Sequence, residues 1–275
     1  MSDAMLTIEG VAKHFGEVSA LSSIDLEISS GQVIGLVGGN GAGKTTLLRL
    51  MAGVMEPSSG DVLFRGKPVS SMRAKLGVVP ESTGLYSRLT AWENIRYHSR
   101  MFGIDDTVAW NRTSHFAKRL DLSDSLSRHT KGFSRGMRQK TALLRALAHG
   151  PDILLLDEPT AGLDVTSART VRTLVRQLRD EGGTVIYSTH HLAEAQQVCD
   201  RIIIVHNGTI RADGSPNDLL ELTECSNLED AYVALTSDKA RARTEEPRSE
   251  SKLARWWKVF LTGRTPDTVG GDDDE

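Results

Sequence analysis

Gly38-Gly39-Asn40-Gly41-Ala42-Gly43-Lys44-Thr45 follows an apolar run, Val33 to Val37, and precedes residues with helical spacing, Thr46 to Ala52. It matches G-x-x-x-x-G-K-[ST] in the strand–loop–helix setting that gives the pattern meaning. Glycines let the backbone curl so that its N–H groups converge on phosphate oxygens. A helix N-terminus behind the loop adds partial positive charge. Lys44 is placed to reach the β- and γ-phosphates of a nucleotide, and the Thr45 hydroxyl to ligate Mg²⁺.

Outward from this loop, short strands and helices alternate. Leu6 to Glu9, Leu21 to Ile28, Val62 to Phe64 and Leu76 to Val79 read as strands. From about 90 to 148 the pattern is mainly helical. Thr90, with Glu93 three residues on, forms a capping-box signal, and Ser134 is a second N-cap candidate. Gly150-Pro151 ends that stretch. Alternation then resumes: strand Ile153 to Asp157, helix Val165 to Glu181, strand Thr184 to Ser188, helix Leu192 to Cys199, strand Arg201 to Val205. Asn207-Gly208 is a hairpin signal leading into Ile210 to Ala212. The expected class is α/β, a parallel sheet with a helical insertion.

A second acidic feature supports the first. Ile153-Leu154-Leu155-Leu156-Asp157-Glu158-Pro159 is a buried strand ending in two carboxylates. At the C-terminal edge of a parallel sheet such groups face the ligand crevice. Asp157 is placed to hold Mg²⁺, directly or through water, and Glu158 to polarise an attacking water.

Further segments arrive in a recognisable order. Phe133-Ser134-Arg135-Gly136-Met137-Arg138-Gln139-Lys140 places Gly136 21 positions before Asp157. It resembles the signature motif of ABC transporter ATPases. Ala161-Gly162-Leu163-Asp164 resembles their D-loop, and Ser188-Thr189-His190 their switch-histidine segment. The resemblance covers about residues 5 to 235. It implies a P-loop NTPase core with a parallel sheet, an antiparallel β subdomain and a helical signature subdomain. It also implies two such domains pairing head to tail around two ATP. Gly38 to Thr46 would hold one ATP. Ser134, Arg135, Gly136 and Met137 would face the ATP held by the partner. Glu158 would activate water, His190 would contact the γ-phosphate, and Asp164 would bridge the dimer. Phe15 sits where the family stacks an aromatic on adenine, or is a core phenylalanine. Glu81 stands where the family has Gln near Mg²⁺, and an ionised carboxylate cannot donate hydrogen bonds. Arg135 and Met137 also depart from the usual Gly and Gln. The branch most resembled is the ABC-2 type, which includes sodium-extrusion and drug exporters with a separate permease. There the transmembrane partner is sensed near Glu81 and the helical insertion.

Composition sets the boundaries of that reading. The 275 residues are 39% hydrophobic and 25% charged, ordinary for a globular protein. Net charge is −3, so no global basic field recruits nucleic acid. No apolar run approaches the roughly 20 residues of a membrane-spanning helix. Met1-Ser2-Asp3-Ala4 lacks a basic n-region and a long apolar stretch after it, against a signal peptide. Cys199 and Cys225 make no disulfide framework. Together with the resemblance, these place the chain in the cytoplasm, peripheral on the cell membrane. The alternative is a soluble ABC ATPase in a non-transport process. A single phosphate loop argues against a two-cassette translation factor, and the short insertion against a coiled-coil repair ATPase.

The expected domains are 1–235, an ATPase domain with the insertion at about 90–148; 236–251, a polar linker; and 252–275, a basic amphipathic segment with an acidic tail. In 252–264, Leu253, Trp256, Trp257, Phe260 and Leu261 share one helical face among four basic residues and no acidic ones. That composition suits a membrane surface or the adjoining permease. It also suits packing on its own domain, or disorder.

Overall fold

The computed structural model describes residues 4–237; the expected linker beyond its first two residues, the basic amphipathic segment and the acidic tail lie outside them. The chain divides after Leu235. Among the described residues, no helix is long and apolar enough to cross a membrane.

Among the described residues, strands and α-helices run in the order β1 (Ala4–Phe15), β2 (Val18–Ser29), β3 (Val33–Val37), α1 (Lys44–Met51), β4 (Ser59–Phe64), β5 (Lys67–Pro68), β6 (Leu76–Val79), α2 (Ala91–Met101), α3 (Asp106–Arg119), α4 (Arg135–Ala148), β7 (Ile153–Asp157), α5 (Val165–Asp180), β8 (Thr184–Thr189), α6 (Leu192–Val198), β9 (Arg201–His206), β10 (Thr209–Gly214), α7 (Pro216–Thr223) and α8 (Leu228–Thr236). A six-stranded sheet has the order β10-β9-β3-β8-β7-β6. It is parallel except for β10, the antiparallel edge strand. An antiparallel four-stranded sheet has the order β2-β1-β4-β5.

The central strands β3, β7 and β8 are buried along their whole length. Such strands read as continuous apolar runs because both faces are covered. Val33, Leu154, Leu156, Val185 and Tyr187 point to one core, shared with α4, α5 and α6. Ile34, Leu36, Leu155, Ile186 and Ile203 point to the other, shared with α1 and the antiparallel sheet. The period-two alternation of a strand thus serves two cores at once.

Local signals account for the element boundaries. Thr90 accepts from Glu93 N at 3.1 Å, and Glu93 accepts from Thr90 N at 2.8 Å, closing the capping box of α2. Trp92 and Trp110 meet edge to face at 4.8 Å, pinning α2 to α3. Ser134 caps α4 and Asp164 caps α5. Asn207 and Gly208 both have positive φ, 47° and 72°, as a tight hairpin between β9 and β10 requires. This turn touches more than its own strands. Gly208 N donates to Ala42 O at 3.0 Å, and Ser22 N donates to Gly208 O at 2.8 Å. One glycine therefore ties the phosphate loop to the antiparallel sheet.

β1 and β2 extend well beyond the expected Leu6 to Glu9 and Leu21 to Ile28. Register shifts along their pairing break the simple alternation that marks a strand. Cys199 and Cys225 are free thiols, and burial pushes the Cys199 thiol far above its ordinary value.

Candidate nucleotide site

The loop between β3 and α1 forms the floor of a cleft of about 400 Å³. Gly41 and Gly43 take φ of 78° and 110°. A side chain at Gly43 would also meet Leu21 at 2.7 Å and the Ala20 carbonyl at 2.9 Å. The helix α1 has no side-chain cap and no acid in its first turn. Its first N–H groups are therefore left for an anion.

Lys44 is 6% exposed. Its ammonium donates to Gly38 O at 2.7 Å and Gly39 O at 3.2 Å, and lies 3.5 Å from Glu158 Oε1. Glu158 Oε2 lies 2.9 Å from His190 Nδ1. The three expected functional groups thus form one connected chain across the cleft. Glu158 follows β7 with φ 48°, a left-handed conformation uncommon outside glycine. Ser188 holds it there. Its hydroxyl accepts from Glu158 N at 3.1 Å and donates to Asp157 Oδ1 at 2.7 Å. Asp157 also accepts from Thr45 Oγ1 at 3.3 Å.

Gly39, Asn40, Gly41, Ala42, Gly43, Lys44, Thr45, Thr46, Glu81, Glu158 and His190 line the cleft together with Ala20 and Ala161. Gly38 lies beneath it through its carbonyl. Phe15 is not part of the lining: it sits 48% exposed at the end of β1, with Lys13 Nζ 5.3 Å from its ring centre. That exposure excludes the core-phenylalanine alternative.

Ser134, Arg135, Gly136 and Met137 do not line this cleft. Ser134 accepts from Met137 N at 3.2 Å as the cap of α4. Gly136 is packed so closely on α5 that a side chain there would meet Ser167 Oγ at 2.5 Å. The Arg135 guanidinium lies over Gly162. Asp164 accepts from Ser167 N at 2.9 Å and Ser167 Oγ at 2.7 Å. These bonds hold its carboxyl below the usual carboxylate range. Residues 134–137, Gly162 and Asp164 therefore form one surface outside the cleft lining, while Ala161, at the start of the same turn, lines the cleft.

Among the described residues, no three His, Cys, Asp or Glu side chains gather as a metal centre. The donors present are instead Thr45, Asp157 and, on the cleft wall, Glu81. One hydroxyl and a few carboxylates beside a phosphate loop fit Mg²⁺, which is bound through few protein ligands plus substrate phosphates.

Two contacts have no signature in the sequence pattern. Gly39 N donates to Tyr232 Oη on α8 at 3.0 Å. Gly39 N and Gly38 O belong to one peptide group, so that group joins Tyr232 to Lys44. The second contact is the buried Glu194 on α6. It accepts from Thr160 Oγ1 and Thr189 Oγ1. Sequence separations of 193 and 34 residues hide these pairings.

The family model described as ABC transporter matches residues 21–161. The chain is 38% identical over 239 residues to the ABC transporter ATP-binding protein NatA of Bacillus subtilis (strain 168), covering 84% of this chain and 97% of that one. It is 33% identical over 222 residues to Nod factor export ATP-binding protein I of Cupriavidus pinatubonensis, covering 79% and 68%. Among solved structures it resembles the dimeric post-hydrolysis state of the ATP-binding cassette MJ0796 bound to ADP and Pi. That likeness has TM-score 0.70 and 26% identity, over 77% of this chain and 98% of that one. The phosphate loop, the acidic strand end and His190 thus stand in a shared fold, and the chain belongs to the ABC transporter family as an ATP-binding, ATP-hydrolysing subunit.

Proposed function

We propose that this chain is the motor of an ABC-2 type exporter whose membrane-crossing part is a separate permease. The observation that carries the motor reading is the continuous contact Lys44–Glu158–His190 across the cleft. It brings a phosphate-binding cation within ion-pair distance of a general base, and that base within hydrogen-bonding distance of a γ-phosphate-sensing imidazole. The relatives' names, NatA and Nod factor export, support export. Sodium ions or drugs are the cargo that the resembled branch suggests.

The residues divide the work. The loop from Gly38 to Thr46 binds the phosphates, and Lys44 turns from the Gly38 and Gly39 carbonyls to the γ-phosphate. Phe15 offers an exposed ring for adenine. Thr45, Asp157 and Glu81 would hold Mg²⁺, which neutralises phosphate charge when bound. Glu158 orients and deprotonates the attacking water, and His190 steadies both Glu158 and the γ-phosphate. Ser134, Arg135, Gly136 and Met137 present the N-terminus of α4 to the nucleotide of a second cassette, with Asp164 at the seam. The exposed Ser134 and the separation of this surface from the cleft support that pairing. Glu81 and the helices α2 and α3 face the permease.

The functional domains are 1–235, the ATPase, 236–251, a linker, and 252–275, the tail. The tail's Trp256-Trp257 face rests on the cytoplasmic membrane surface or the permease. Glu158→Gln tests the reading. The variant binds ATP, dimerises and stops turning over, and the wild type co-purifies with a membrane permease. Normal hydrolysis by Glu158→Gln would falsify the base assignment. Co-sedimentation with liposomes of the wild type against a chain ending at Ser251 tests the tail, and equal binding by both ends that part of the proposal.

A further inference from the structure

Glu194 is a buried carboxylate, 7% exposed, in the first turn of α6. An acid at this position ordinarily reaches back to the N–H of its own cap. Here it does not. The N–H of the cap, His191, donates instead to Thr189 Oγ1 at 3.0 Å. Glu194 Oε2 then accepts from Thr189 Oγ1 at 3.2 Å and from Thr160 Oγ1 at 2.8 Å. Its other oxygen, Oε1, accepts from Arg172 Nη1 of α5 at 3.2 Å. Buried charge is tolerated only when paired and hydrogen-bonded, and Glu194 has both.

The partners lie at telling positions. Thr160 is two residues after Glu158, and Thr189 is one residue before His190. Both donate to the same oxygen. We infer that Glu194 is a positioning residue: its carboxylate clamps the turn carrying Glu158 to the strand end carrying His190. This rests on the roles proposed above for Glu158 and His190.

The clamp explains how an unfavourable backbone conformation persists at Glu158. Ser188 holds the Glu158 N–H, and Glu194 holds the chain two residues on through Thr160. Thr160 Oγ1 is also 3.3 Å from Tyr187 Oη. The phenol is kept neutral, because burial first, and then the Glu194 charge, push it far above its ordinary value. The base and the imidazole, 2.9 Å apart at the cleft, are thus joined a second time from beneath. Displacement of a reacting group by about 1 Å lowers a rate by roughly 100-fold. The same displacement leaves the phosphate loop in place, because Glu194 touches none of it.

Glu194→Gln in the full-length chain keeps the shape but replaces an acceptor with a donor and leaves Arg172 without its counter-charge. Three quantities are measured: kcat, equilibrium binding of a non-hydrolysable ATP analogue, and unfolding without nucleotide. The expected result is a fall in kcat of at least about tenfold, with analogue affinity held within about twofold. The pair Thr160→Val with Thr189→Val removes both hydroxyls and keeps their bulk. It reproduces the kcat loss, and adding Glu194→Gln makes it little worse. If Glu194→Gln is unstable, the threonine pair alone decides. A folded Glu194→Gln or threonine pair that turns over within about twofold of wild type overturns the clamp. So does a parallel loss of analogue affinity and kcat. Glu158→Gln is assayed alongside: if it is inactive while Glu194→Gln is normal, the clamp alone fails. If Glu158→Gln itself turns over, the underlying role of Glu158 fails.

Discussion

Arg145 Nη2, in the last turn of α4, donates to the carbonyl oxygen of Thr83 at 2.7 Å, and its Nη1 donates to Gly84 O at 3.1 Å. The helix that begins at Ser134 is thereby fastened to the loop that begins at Glu81. Arg145→Met keeps the stem and loses both bonds, leaving two carbonyls without that donor. Charged hydrogen bonds of this kind contribute about 1.5–3 kcal/mol each. Two such bonds would sum to about 3–6 kcal/mol, but the one to Gly84 O is exposed to water and falls short of that range, so the variant is less stable by roughly 2–4 kcal/mol in urea unfolding. Faster hydrogen exchange appears across residues 82–86, and unchanged exchange there contradicts the fastening.

Lys44→Met leaves the loop folded but without its cation. Losing a charged hydrogen bond to phosphate weakens ATP binding by about ten- to a hundredfold. Fluorescence titration with a labelled nucleotide measures this. Affinity equal to wild type refutes the assigned role of Lys44.

Tyr232→Phe removes one hydroxyl from α8 and leaves Gly39 N without this acceptor. Gly39 opens the phosphate loop, and without this bond to α8 that end of the loop is no longer held in place for the phosphates. ATP affinity falls by about two- to tenfold, and unfolding without nucleotide changes little. A drop in stability with unchanged affinity assigns the hydroxyl to α8 packing alone.

His98 carries a pH signal. Burial, with smaller repulsion from Arg145 and His149, lowers its pKa to about 4. Burial also lowers that of His149, whose ring stacks on Phe102 at 4.5 Å. The unfolded chain binds protons at both sites near pH 6.5 while the native chain resists. Stability is therefore full above about pH 6.5 and declines as pH falls toward 4. Discounted for partial solvent access, His98 accounts for about 2 kcal/mol of that decline. His98→Phe flattens the profile in urea titrations between pH 7 and 4.5. An unaltered slope excludes His98 as its source.

Much of this architecture is legible along the chain because its determinants are local. The capping box at Thr90 and Glu93, the cap at Ser134 and the Asn207-Gly208 turn each act within four residues. The phosphate loop, Asp157 and Glu158 are readable for the same reason: each sits at a strand end where loop chemistry is written consecutively, whereas His190 stands out only through the family resemblance of Ser188-Thr189-His190. What stays hidden is what the sheet brings together. Glu194 reads as an ordinary helix-start acid until Thr160 and Thr189 are seen above it. Tyr232 reads as an apolar-face residue in a short helix, α8, which together with α7 escapes the alternation pattern. The Ser215–Asp218 capping box of α7 was available as a signal, but α8 depends on packing against a core built from distant strands.

The Asn207–Gly208 turn sets a limit on how nucleotide enters. Gly208 is hydrogen-bonded to Ala42 on one side and Ser22 on the other, so the phosphate loop is riveted between two sheets. A riveted loop is no flap. Nucleotide therefore meets an immobile phosphate seat, and any opening of the site falls to the walls around the loop rather than to the loop itself.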